Sequence, residues 1–150
     1  MTLNQWALRH QISANALAEL CDLFNLDPPP PQADALIMLG SEAAVQAWVR
    51  VECSRRGWRV FRNNLGAGKL EDGSFIRWGL CNESAQVNKQ IKSSDLIGWD
   101  NEGRFVALEC KAPGWRYTGT DREKAQRKWL ELVVAAGGIG KFINGPEQLA

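Results

Sequence analysis

The segment KSSDLIGWDNEGRFVALECKAPGW, Lys92–Trp115, constrains this chain more than any other. Two apolar runs, SDLIGW and RFVALECK, flank DNEG, a good turn sequence, so the segment predicts an antiparallel hairpin. Side chains alternate along a strand, which sets Glu109 and Lys111 on one face. Symmetric pairing about Glu102 brings Asp95 directly opposite Glu109 on that face. Both faces of FVALEC are apolar, the mark of an interior strand. Two carboxylates brought together at the end of a buried sheet are unfavourable unless something cationic lies between them. A hard divalent ion takes oxygen ligands of this kind, and Lys111 is placed to position water or balance charge on a phosphate. The alternative is a solvent-facing hairpin whose Lys–Glu pair is worth almost nothing, and the two apolar faces argue against it.

The flanking sequence supplies the elements such a hairpin needs. SEAAVQAWVRVECSRRG predicts a helix capped by Ser41 and stopped by Gly57, with Glu42, Val45, Val49 and Cys53 on one face. WRVFRNN, Trp58–Asn64, predicts a strand. Residues 63–93 are rich in Gly, Asn, Ser and Lys, with one strand-like insert, SFIRWGLC. After the hairpin and a Gly/Pro loop, TDREKAQRKWLELVVAAGG opens with the capping-box pattern Thr120–Glu123 and ends at Gly137. Ala125, Trp129, Leu132, Val133 and Ala136 form its expected core stripe, and GKFI closes the domain as a strand. A strand, a helix and a further strand make a crossover, so the fold class is α/β with a mixed central sheet flanked by helices.

Ahead of this domain, residues 1–26 read as a helical appendage, with Asn4 and Ser13 as caps of two short helices. The Pro-rich segment 27–32 reads as an extended linker, leaving residues 33–150 as the main domain. His10 is the only histidine and precedes that domain, which argues against histidine-centred catalysis. Four cysteines about thirty residues apart, without a C-x-x-C pair, fit neither a zinc site nor a disulfide framework. Reduced thiols, no apolar run long enough to span a bilayer and no signal-peptide layout give a cytoplasmic expectation with no membrane partner. The formal net charge of +1 conceals an asymmetry: residues 1–49 carry one Arg against five acids, residues 50–150 seventeen Lys and Arg against twelve. A basic main body suits a polyanionic partner, and an ordinary solvated surface carries the same balance.

The order of RRGWRVFRNN, KSSDLIG, FVALECKAPG and AQRKWLELVVAAGG resembles the PD-(D/E)XK nuclease superfamily, and more narrowly its VRR-NUC branch, found in phages and DNA-repair enzymes. The resemblance covers about residues 41–143 and omits the N-terminal appendage. It implies a restriction-endonuclease-like sheet and a metal-dependent endonuclease that hydrolyses DNA phosphodiester bonds with Mg²⁺ or Mn²⁺. It also implies branched or duplex DNA as partner, structure-selective cutting of four-way junctions or flaps, a homodimer, and a host-cell cytoplasmic setting if phage-encoded. By the same resemblance Asp95 and Glu109 are metal-binding carboxylates, the Cys110 backbone carbonyl a further ligand, and Lys111 the water-positioning lysine. Glu42 reaches the metal directly or through water, and Gln126 is the helical glutamine near the site. Ser94 departs from the pattern by standing where a proline is usual.

Duller readings stand beside these. A Glu in a first helical turn, as Glu42 is, is favoured by the helix dipole alone. Gln126 is also compatible with plain helix surface, Cys110 with a core hydrophobe, and Trp115 and Tyr117 with pins for a loop. GAGK, Gly66–Lys69, lacks the full phosphate-loop pattern, which excludes nucleotide hydrolysis on that motif. The DNA contacts expected are Arg62, Asn63, Asn64, Lys69, Arg77, Lys92 and Ser94 ahead of the hairpin's core, and Arg116, Tyr117 and Arg122 after it. No recognition helix or zinc finger is present in the sequence, so binding by backbone and shape is expected. The rival expectation is a catalytically inactive nucleic-acid-binding or phage interaction protein on the same fold.

Overall fold

The turn sequence DNEG closes as a hairpin because the Asp100 carboxylate accepts the backbone N–H of Glu102 and of Arg104, both at 2.9 Å, and the Arg104 Nε at 2.7 Å. The strands it joins, together with every element named below, come from a computed structural model that describes residues 3–10, 12, 14–24, 26 and 40–149. The chain divides into two units, Met1–Met38 and Leu39–Ala150.

In the first unit, α1 (Leu3–Arg9) and α2 (Ala14–Leu23) are the two short helices expected. Asn4 falls inside the first turn of α1 rather than ahead of it, so it is not the cap. Ser13 and the proline segment 27–32 lie outside the described residues.

The second unit is α/β, with a mixed sheet whose strands lie in the order Arg59–Arg62, Leu96–Trp99, Phe105–Cys110 and Ile139–Ile143. Its helix α3 (Glu42–Arg55) starts where the Ser41 hydroxyl accepts the Ala44 N–H and stops at Gly57, whose φ of 78° suits a residue without a Cβ. Strand β1 (Arg59–Arg62) follows, shorter than the seven residues expected. The polar stretch after it holds more structure than its sequence announces. GAGK is a strand, β2 (Gly66–Lys69), paired antiparallel with β3 (Phe75–Trp78) as a separate two-stranded ribbon, and α4 (Ala85–Gln90) comes next, capped by Ser84.

Strands β4 (Leu96–Trp99) and β5 (Phe105–Cys110) pair antiparallel with Leu96 opposite Leu108 and Ile97 opposite Ala107. That register, continued one step, sets Asp95 opposite Glu109. From β5 the chain crosses over through α5 (Asp121–Ala135) to β6 (Ile139–Ile143), which runs parallel to β5. The capping box of α5 is formed, Thr120 and Glu123 each accepting the other's backbone N–H.

Val106 to Lys111 are all buried, so β5 is an interior strand, and the two helices cover opposite faces of it. Glu109 touches Gln126 of α5, whereas Cys110, one residue on and pointing the other way, is buried on the side of α3, where Cys53 is buried as well. The buried face of α5 is rotated from the expected stripe: Ala125, Gln126, Leu130 and Val133 turn inward, while Leu132 and Ala136 are exposed. Gly140 lets β6 lie against that helix, since a Cβ there would stand 2.5 Å from the Leu130 carbonyl oxygen. Among the described residues no helix is long and apolar enough to cross a membrane, and all four cysteines are free thiols.

Candidate active site

The β4–β5 ladder brings Asp95 and Glu109 to the same end of the sheet, and each carboxylate has one oxygen engaged. Asp95 Oδ2 accepts the backbone N–H of Cys110 at 2.9 Å. Glu109 Oε1 accepts from Lys111 Nζ at 2.9 Å and from Gln126 Nε2, and Lys111 also donates to Gln126 Oε1 at 3.1 Å. The other oxygen of each carboxylate meets no protein donor among the described residues. Glu109, Lys111 and Gln126 thus form a closed buried triangle behind the pair, with Glu109 only 2% exposed. The Lys111 ammonium also lies 5.7 Å from the Trp115 ring centroid and 5.9 Å from that of Phe142, an aromatic floor that the two rings make together at 5.0 Å.

Burial and the neighbouring Asp95 charge push the Glu109 carboxyl up to about 7, with Lys111 and Arg122 pulling the other way. Burial likewise raises the Cys110 thiol far above its usual range, so that side chain behaves as a small hydrophobe rather than a reactive group. Its N–H points toward Asp95, and in an extended strand the carbonyl of the same residue points to that side too.

In front of the pair opens a pocket of about 320 Å³. Asp95, Glu109 and Gln126 form its floor, and Arg77, Lys92 and Arg122 its cationic wall. Lys92 is held from two sides: its backbone N–H bonds the Ala125 carbonyl at 3.1 Å, and its ammonium bonds Asn88. Partial burial and the nearby Arg122 charge lower the Lys92 pKa.

Not every expected residue joins this site. Lys111 lies behind Glu109 and does not line the pocket. Glu42 is exposed at the start of α3, with no hydrogen bond or ion pair to Asp95 or Glu109; its charge is felt at Cys110 instead. The physical reason is alternation: α3 packs on the Cys110 face of β5, and Glu109 points to the α5 face. Among the described residues no three His, Cys, Asp or Glu side chains converge as a metal cluster. Of the ten expected DNA contacts, Arg77, Lys92 and Arg122 line the pocket. Ser94 requires correction: it is 1% exposed, accepting from Trp129 Nε1 at 3.2 Å and donating to the Leu96 carbonyl at 3.0 Å, and so is sealed from any DNA. Asn63 is half-buried, and its amide clamps Ser93 Oγ and the Ser94 carbonyl, both at 2.9 Å, which fixes the strand entering Asp95. Arg62, Asn64, Lys69, Arg116 and Tyr117 are exposed outside the pocket.

Sequence reasoning missed Asn82, buried at 5%, whose amide holds the base of the ribbon through the Gly66 and Trp78 carbonyls at 2.7 and 2.9 Å. The signal was present in the pattern CNES, where a small polar cluster precedes the Ser84 cap. It missed Glu123 as a loop anchor as well. Besides its capping role, Glu123 accepts from Trp115 Nε1 at 3.1 Å and from the Thr118 N–H and hydroxyl, and so secures the ring beside Lys111.

Comparison with protein-family models, with curated proteins and with solved structures finds no match to this chain.

Proposed function

We propose that the chain is a metal-dependent nuclease of the PD-(D/E)XK type, VRR-NUC-like, that hydrolyses DNA phosphodiester bonds. The observation that carries this reading is the Asp95–Glu109 pair, backed by Lys111 and Gln126, on the floor of a pocket walled by three cations. The donor set fits a hard divalent ion: two carboxylates side by side, each with one oxygen free of protein donors. Asp95, Glu109 and the Cys110 carbonyl would hold Mg²⁺ or Mn²⁺, leaving the rest of its shell to water and phosphate. When bound, that ion supplies Lewis-acid polarisation and lowers the pKa of water.

The chain's own side chains account for the rest. Arg77, Lys92 and Arg122 grip the phosphate and balance charge that develops on it. Gln126 fixes the direction of the Glu109 carboxylate, and Lys111 favours its ionised form. Four-way junctions and flaps are the substrates to try first, in a homodimeric or monomeric protein alike.

The test is cleavage of end-labelled four-way junction, flap and linear duplex with Mg²⁺, Mn²⁺ or EDTA, beside the Lys111→Ala and Asp95→Asn proteins. Cutting that needs the metal and falls on the order of 10²-fold or more in both variants is expected. Among the described residues no third acid converges on the pair, and that observation favours one rival, a nucleic-acid-binding module without chemistry. Folded protein that shifts DNA in a gel and cuts none of the three would establish that rival.

A further inference from the structure

The ribbon β2–β3 belongs to neither face of the main sheet, and its own two faces differ. Cross-strand partners share a face, so Gly66, Gly68, Ile76 and Trp78 lie on one side, and Ala67, Lys69, Phe75 and Arg77 on the other. The first side is covered by the Trp78 indole, which lies over Gly66 so closely that a Cβ there would stand 2.1 Å from it. The second side carries two residues of the pocket wall, Ala67 and Arg77, which line it beside Asp95 and Glu109. One step outward on that same side stand Lys69 and Phe75, directly opposite each other.

Phe75 is 58% exposed. The Arg77 guanidinium lies 5.3 Å from its ring centroid and donates one N–H to Asn82 Oδ1 at 3.2 Å. A guanidinium has five such donors, so Arg77 is held in place with most of its donors open to an anion. A face that alternates cations with an exposed ring, and that begins at a pair of carboxylates, suits a nucleic-acid strand. The cations take backbone phosphates and the ring takes the π-face of a base. In a duplex those π-faces are stacked on their neighbours, and a phenyl ring has no donor or acceptor with which to read a groove edge.

We propose that this face of the ribbon carries an unpaired strand out of the pocket, with Phe75 stacked on a base and Arg77 and Lys69 on flanking phosphates. The inference rests on the nuclease reading and narrows it: the substrate has unpaired nucleotides beside the phosphate that is cut.

Fluorescence anisotropy in EDTA, where no metal-dependent cleavage occurs, tests it with the full chain and a labelled single strand or blunt duplex. Phe75→Ala is expected to weaken single-strand binding roughly five- to hundred-fold, the range contributed by one base–aromatic stack, and to change duplex binding less than about twofold. Phe75→Leu keeps apolar bulk and loses the aromatic face, so it is expected to behave like Phe75→Ala. Circular dichroism on heating checks that both variants fold, as substitution of an exposed side chain predicts. Equal loss on both substrates, matched by Arg77→Ala, would overturn the proposal by reducing Phe75 to a prop for Arg77. So would unchanged single-strand affinity, or a shift from dimer to monomer on sedimentation without loss of binding, which would make the ribbon a surface for a second copy of this chain. The two readings fail separately. A protein that loses single-strand affinity with Phe75 but cuts no DNA keeps the strand track and loses the nuclease. One that cuts duplex through Lys111 and ignores Phe75 keeps the nuclease and loses the track.

Discussion

Glu109 carries opposing demands: burial and the Asp95 charge raise its carboxyl from 4.5 to about 7, while Lys111 and Arg122 pull it down and Lys111 and Gln126 hold it in place. Between those two values the folded chain binds a proton that the unfolded chain has released. Stability therefore falls as pH rises from about 4.5 to about 7 and levels off above. Thermal melts across that window should give the highest Tm at the acid end, and Glu109→Gln should flatten the trend. On the proposed reading a bound divalent cation would reverse the balance, because it would favour the ionised form. Cation affinity should therefore climb with pH up to about 7, with proton release visible when calorimetry is repeated in two buffers of different ionisation enthalpy. Glu123 behaves in the opposite sense. The Thr120 N–H, with Thr118 beside it, lowers its carboxyl to about 2, so its contribution is whole above about 4.5 and is lost as pH falls toward 2. Glu123→Gln should remove that acid-side loss from the melts.

Among the elements, α5 does the most positioning, since it holds Gln126 against Glu109 and Leu130 against β6. Thr120→Ala should cost about 1 kcal/mol through the lost cap, read as a lower denaturation midpoint with an unchanged m-value. Gly140→Ala forces β6 and α5 apart and should cost roughly 1–3 kcal/mol by the same measurement. The two long helices of the second unit and the β4–β5 hairpin were legible because their signals are local: Ser41 and Thr120 are caps, and the hairpin register follows from one turn and two alternating runs. The inward face of α5 was misread because Gln126 and Glu123 sit on it, and a hydrophobic pattern counts both as surface. The ribbon was half missed, since Gly66 and Gly68 show no alternation and become a strand only when Trp78 closes over them. Glu42 was legible as a helix-start acid, but which face of the sheet its helix would cover is a tertiary fact.

At the scale of the whole molecule, affinity for DNA should fall linearly in log–log terms with salt, by about 0.9 per phosphate neutralised on a duplex. Lys92→Ala and Arg122→Ala should each reduce that slope by about one, and Arg62→Ala, outside the pocket, by less. The division at Met38 predicts that residues 39–150 alone melt cooperatively, with far-UV circular dichroism that matches the chain's own helices and strands. The strand that bears Glu109 is also the spine of the hydrophobic core, with Val106 to Cys110 all sealed from solvent. A methionine in place of Glu109 would exchange a repelled, desolvated carboxyl for an apolar side chain of similar length and leave Leu108 and Cys110 undisturbed. Such a chain should be sturdier and silent. On the proposed nuclease reading, robustness and chemistry therefore pull against each other along five consecutive buried residues, and a single substitution separates a catalyst from a durable relic of one.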